Sequence, residues 1–177
     1  DVRLTGQAGP EMDVLGTNGA MIAAGDIEPA TDDGTDFGSL VAADGTRDHT
    51  FTVTHVGLET LVLSGTPDAG ALSGDTSQFS ILVQPALTNV AVNAGTTFQI
   101  RFAPTAVGLS TAVVTMIPND INENPYTFRI QGTGTLAAEP ITQASNVTFS
   151  AVSNISMTVS WANGGGARRL VVAREGD

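Results

Sequence analysis

An all-β sandwich of short strands is the fold this sequence predicts, and three observations predict it. Apolar and polar residues alternate with a period of two in several separate stretches, as half-buried strands require. Turn signals built from Gly, Pro, Asn and Asp recur between Leu15 and Gln131 at the spacing of a sandwich. No window long enough for a stable helix carries an apolar stripe at helical spacing without a proline or glycine interrupting it.

Composition narrows the function classes. The 177 residues include 20 glycines and no cysteine, with only seven Phe, one Tyr and one Trp. Zero cysteine excludes disulfides, thiolate metal sites and cysteine catalysis. All seven basic residues are arginine, and against 18 acidic residues they leave a net charge of -11. Such a surface repels phosphate backbones and anionic lipids, which argues against nucleic acid or a membrane surface as partner. No apolar run is long enough for a spanning helix, so direct membrane insertion is not expected. Residues 1–134 hold 15 acidic and four basic groups, whereas residues 135–177 hold three of each. That shift predicts a domain boundary near Gly134.

Taken in order, Asp1 to Gln7 reads as a frayed end or an edge strand. Met12, Val14 and Leu15 belong to a first strand, closed by the turn Thr17-Asn18-Gly19. Ala20 to Ala24 is an apolar stretch of strand length that ends at Gly25-Asp26. Glu28 to Gly38 reads as a loop, with Phe37 as a plug into the core. Leu40 to Ala43 is expected as a short edge strand before the turn at Asp44-Gly45. Arg47 to Val56 is a clearer strand, with Phe51, Val53 and His55 on one face. Leu61 and Leu63 should point inward before Ser64-Gly65-Thr66-Pro67 breaks their strand. Phe79, Ile81 and Val83 alternate once more.

The stretch 90–134 carries the pattern most cleanly. Phe98, Ile100 and Phe102 share a face, and Ala103-Pro104 stops that strand because proline offers no N–H to a ladder. Leu109 to Ile117 follows, ending at Pro118. Asn119, Asp120 and Asn122 make the next turn, after which Tyr126, Phe128 and Ile130 alternate with Thr127, Arg129 and Gln131. The expected core is Phe51, Leu61, Leu63, Phe79, Ile81, Phe98, Ile100, Phe102, Val113, Met116, Phe128 and Ile130. Residues 135–140 read as a linker. Beyond it, Val147, Phe149 and Val152 alternate loosely, Met157, Val159 and Trp161 cleanly, and Leu170 and Val172 start a third strand. Three strands are too few for a sandwich, so residues 141–177 are expected to be the front part of a second domain, truncated at Asp177, or a ribbon accessory to the first.

Few residues suggest chemistry. Asp26, Glu28, Asp32, Asp33 and Asp36 form the densest set of hard oxygen ligands, the type that calcium takes from loops. Their spacing does not match an EF-hand, and Asp33-Gly34 serves equally as a turn. Asp120, Asn122 and Glu123 form a sparser oxygen cluster. His49 and His55 share a strand face but stand roughly 20 Å apart, too far for one metal. No G-x-S-x-G elbow accompanies them, so no catalytic residue is assigned. Gly164-Gly165-Gly166 before Arg168-Arg169 lacks the strand–loop–helix context of a phosphate cradle and reads as a hairpin loop.

Seven ordered segments carry a resemblance: Met12 to Gly16, Gly25-Asp26, DGTDFG at Asp33 to Gly38, HTFTV at His49 to Val53, LVLSG at Leu61 to Gly65, FQIRFAPTAVG at Phe98 to Gly108, and NDINENPYTFRIQGTG at Asn119 to Gly134. Together they make residues 10–134 similar to the bacterial choice-of-anchor D repeat family, related to Hydin-type and major-sperm-protein-like immunoglobulin folds. THVG at Thr54 to Gly57 departs from that family's asparagine-containing turn. Residues 138–177 resemble the start of a fibronectin type III-like module, with Trp161 as its core tryptophan. The resemblance implies an all-β chain: an immunoglobulin-like β-sandwich over 1–134, followed by a partial fibronectin type III-like β domain. It also implies a non-catalytic spacer or adhesive module of a large secreted or cell-surface bacterial protein, with protein or glycan partners outside the cell and neighbouring domains in the parent chain. The alternative reading is a carbohydrate- or protein-binding accessory domain of a secreted enzyme, with a structural calcium ion in the Asp26–Asp36 segment. That reading requires an exposed aromatic platform, whereas the alternation of Tyr126 and Trp161 predicts burial for both.

Overall fold

The computed structural model describes residues 9–65, 69–139, 141–166 and 171–172. The chain is all-β, with no helix among the described residues. It divides into two compact units, Asp1–Leu136 and Ala137–Asp177. Among the described residues no helix is long and apolar enough to cross a membrane.

The first unit is a two-layer sandwich. One sheet holds β1 (Met12–Leu15), β2 (Met21–Ile22), β4 (Arg47–His55), β7 (Phe79–Val83) and β9 (Gly95–Phe102), in the order β2-β1-β4-β9-β7 and wholly antiparallel. The other is built on the long hairpin of β10 (Gly108–Pro118) and β11 (Tyr126–Thr135). On one side of it β3 (Asp36–Val41) runs parallel to β11. On the other, β5 (Leu61–Ser64) and β6 (Gly70–Gly74) share the free edge of β10, and β8 (Asn89–Val90) pairs with β5.

The alternation read from the sequence decides which side chains meet between the layers. Phe51, Phe98, Phe102, Phe79 and Phe128 are buried, and so are Leu61, Leu63, Ile100, Met116 and Ile130. Phe51 and Phe98 are cross-strand partners whose rings stack at 5.4 Å, and Phe128 of the opposite sheet approaches Phe51 at 5.6 Å. A second aromatic group joins Phe79, Phe102 and Phe37, with centroids 4.8 to 6.1 Å apart, a range in which rings attract beyond their burial. Gly132 lies directly beneath Phe102. A Cβ there would stand 2.6 Å from the ring, so only glycine lets β11 pass under it.

Four expectations are corrected. Val113 is only half-buried, and the inward positions of β10 are Ala112, Val114 and Met116. Ala20 to Ala24 shrinks to the two residues of β2, because Gly25 donates from its N–H to Thr127 O and Asp26 bridges to Phe128, carrying the chain to the other sheet. The edge strand expected at Leu40 to Ala43 instead spans Asp36–Val41. Along β7, Ile81 packs half-buried against the core, but Val83 is 51% exposed, because the register against β9 shifts between them.

The second unit is an antiparallel ribbon of β12 (Ser145–Ser150) and β13 (Thr158–Ala162). Phe149 faces Val159 across it, and Phe149 remains 63% exposed. Trp161 is half-buried, not the buried core residue that its alternation predicts. A two-stranded ribbon has no opposing layer to enclose such a ring. Val172 is exposed and outside any strand. Asp1 to Gln7, Thr66-Pro67, the Arg168-Arg169 pair and Leu170 lie outside the described residues.

Candidate functional site

The carboxylates between Asp26 and Asp36 are placed one by one, and most of them build the loop that carries them. Asp26 Oδ1 accepts from Glu28 N at 2.8 Å, while Asp26 O accepts from Arg129 N. Asp33 is buried; its Oδ1 accepts from Thr35 N at 2.8 Å and from Thr35 Oγ1 at 2.6 Å. Asp36 Oδ1 accepts from Gly38 N at 2.7 Å, and its Oδ2 accepts from Gln131 Nε2 at 2.9 Å on β11. Glu28 and Asp32 are exposed. Asp and Thr side chains that bond locally to the backbone define turns, and that is what these three carboxylates do. Phe37 is fully buried between them, stacked on His49 at 4.2 Å. Gly16 lets the preceding turn lie against this loop, for any Cβ there would collide with Asp33 O. Among the described residues no group of three or more His, Asp or Glu is arranged to hold a metal ion.

Both histidines of β4 face inward, as their even spacing predicts, at opposite ends of the strand. His49 Nδ1–H donates to Gly34 O at 2.6 Å. His55 is 1% exposed and bridges two chain segments, with Nδ1 2.9 Å from Glu11 O and Nε2 against Glu59 O. The THVG turn is therefore held by an imidazole that ties β4 to the residue before β1.

Where β1 begins, the fold assembles a second acidic group whose members are far apart in sequence. Asp120, 1% exposed, accepts from Met12 N through Oδ2 at 3.0 Å, across 108 residues. Glu11 and Asp13 flank Met12, and Glu123 comes from the same loop as Asp120. Three carboxylate oxygens here, Glu11 Oε2, Asp120 Oδ1 and Glu123 Oε2, are sealed from solvent without a hydrogen-bond partner among the described residues. Burial, with Asp120, Glu11 and Asp13 as neighbouring negative charges, pushes the Glu123 carboxyl up to about 7. Burial raises Glu11 as well, reinforced by Asp120 and Asp13 and opposed by His55. The sequence exposes only the Asp120–Glu123 half of this group. Glu11 and Asp13 join it through the bond from Met12 N to Asp120, and their one local sign is their position on either side of a buried methionine.

Beside this group Tyr126 crosses the sandwich. Its hydroxyl donates to Ile22 O and accepts from Val14 N at 3.3 Å, tying β11 to both β1 and β2. Burial pushes its phenol up to about 12. Hydrogen bonds of this kind fix strands and loops.

Comparisons with known proteins bear on the fold. No family model and no curated protein matches this chain. Among solved structures, a protein of unknown function from Porphyromonas gingivalis W83 aligns with TM-score 0.50 and 15% identity, covering 74% of this chain and 50% of that one. This chain thus spans about half the length of that protein. The VesB protease of Vibrio cholerae aligns with TM-score 0.45 and 14% identity over 63% of this chain and 31% of that one. A PapD-like domain of human CEP192 aligns with TM-score 0.38 and 13% identity over 72% and 87%. The latter two fall under 0.5 and add nothing to the reading. The first shows a shared fold alone, and residues 9–65 and 69–136 form a two-layer β-sandwich.

Proposed function

We propose that this chain is a non-catalytic structural and interaction module, a spacer within a larger secreted or cell-surface bacterial protein. One observation supports the spacer reading. The chain comes into the sandwich beside His55, where Met12 pairs with it, and leaves at Thr135, bonded to Ala42 near the Arg47 end of the same strand. The nine residues of β4 set those ends about 27 Å apart. A module that takes the chain in at one end and releases it at the other adds length to whatever it joins. Asp33, Asp36, His49 and His55 all bond within the sandwich.

A second reading, a carbohydrate- or protein-binding accessory domain, is favoured by the half-buried Trp161 and the exposed Phe149 on one face of the ribbon. Partners under either reading are extracellular proteins or glycans and the adjoining domains. Binding is tested on the whole chain with a glycan array and a calcium titration by calorimetry. Silence in both supports the spacer. A saturable glycan signal lost in Trp161→Ala establishes the accessory domain instead, and stoichiometric calcium uptake lost on replacing Asp33 and Asp36 establishes a calcium site in the Asp26–Asp36 segment.

A further inference from the structure

We propose that the carboxylates where β1 begins form a proton-operated latch: a proton held on Glu123, beside Asp120 and Glu11, keeps the start of β1 fastened to the loop between β10 and β11, and its loss loosens that fastening.

The geometry comes first. Asp120 fastens β1 directly, through its Oδ2 on Met12 N. The other oxygen of the same carboxylate is buried and unpartnered among the described residues, as are Glu11 Oε2 and Glu123 Oε2. A carboxylate oxygen sealed from water without a donor raises the cost of ionising its group, and like charges placed together add to that cost. A positive species shared among these oxygens relieves it. A metal ion would need several ligands around one point, and no set of three among the described residues provides them. A proton needs only one oxygen to carry it and one to accept.

The surrounding charges point the same way. Glu123 is acted on by Asp120 from its own loop and by Glu11 and Asp13 from the β1 side, all of them carboxylates. Glu123 in turn acts on Tyr126 of β11, a neutral phenol at these pH values. His55 of β4 reaches Glu11 and opposes its shift. The carboxyl of Glu123 is accordingly raised from 4.5 to about 7. A carboxyl that binds its proton more tightly folded than unfolded contributes stability that is present at low pH. That contribution declines as pH rises from 4.5 and is gone above about 7.

The test uses the whole chain in EDTA. Urea midpoints by far-ultraviolet circular dichroism are taken from pH 4.5 to pH 8 for the wild type and for Glu123→Gln, which keeps the shape and cannot ionise. The wild-type midpoint should fall relative to that of Glu123→Gln across this window and then run parallel to it. In the wild type, the Glu123 side-chain carboxyl carbon should titrate near 7, and the Met12 amide shift should follow with the same midpoint. This second measurement stands if the variant does not fold. Parallel profiles throughout, or a Glu123 midpoint near 4.5, overturn the proposal. So does a wild-type profile that millimolar calcium flattens, because a cation and not a proton would then answer the cluster.

Discussion

Removing a single oxygen at Tyr126 should measure how firmly β1 and β2 are held to the sheet opposite. Tyr126→Phe keeps the ring, which is 2% exposed, so the apolar burial is conserved. What disappears is the hydroxyl between Ile22 O and Val14 N. Ile22 and Val14 are both fully buried, and water cannot replace the lost partner. An orphaned buried carbonyl costs about 1–3 kcal/mol, and the amide at 3.3 Å belongs at the weak end. A loss of about 2 kcal/mol is expected from a domain whose whole stability is on the order of 5–15 kcal/mol. Far-ultraviolet circular dichroism in urea is the assay, because it reads the β-structure directly and the one tryptophan lies outside the sandwich, in the second unit. With a slope of roughly 2 kcal/mol/M the midpoint should fall by about 1 M and the slope should not change. A midpoint within ~0.2 M of wild type would refute the reasoning, since the hydroxyl would then be contributing nothing.

Three further outcomes follow from neighbouring features. Gly132→Ala drives a methyl into the Phe102 ring, which Phe79 and Phe37 hold in place, and should cost about 1–3 kcal/mol in thermal unfolding. Tyr126 is the only tyrosine, so phenolate absorbance reports it alone. Its ionisation should occur near 12, and the stability it contributes, whole below 10, should fade as pH rises from 10 towards that value. His55→Phe keeps the buried ring and strips both carbonyl contacts, and a urea-midpoint loss equivalent to about 1–3 kcal/mol is expected. A midpoint unchanged by that substitution would show that the THVG turn is held by packing alone.

Strands whose two faces differ in chemistry were readable without coordinates. From Phe98 to Phe102 in β9 and from Tyr126 to Ile130 in β11, every second side chain is large and apolar and the residues between are polar, so parity admits one answer. β10 resists the same reasoning, because Val113 and Val114 are adjacent and equally apolar. The tie is broken by Ala112, too small to advertise itself, which faces Ile130 in the ladder. Register shifts defeated the pattern along β7, where a bulge turns Val83 outward, and such a shift depends on the partner strand. The Asp26–Asp36 loop shows what residue type alone leaves out: Asp33 and Asp36 accept from Thr35, Gly38 and Gln131, contacts that no spacing rule announces. The acidic group at β1 was half hidden as well. Its members become neighbours only through a contact spanning 108 positions.

The parallel pairing of β3 with β11 has a consequence for how the molecule is made. β3 is made well before β11, yet among the described residues its one ladder is to that last strand of the sandwich. Until Thr135 has emerged, an early segment must wait with its backbone unanswered, and the layer it belongs to is incomplete. Closure across so many residues is slow and favours an all-or-none event. A nascent chain halted before Tyr126 would therefore engage chaperones, whereas one released after Thr135 would snap shut as a unit.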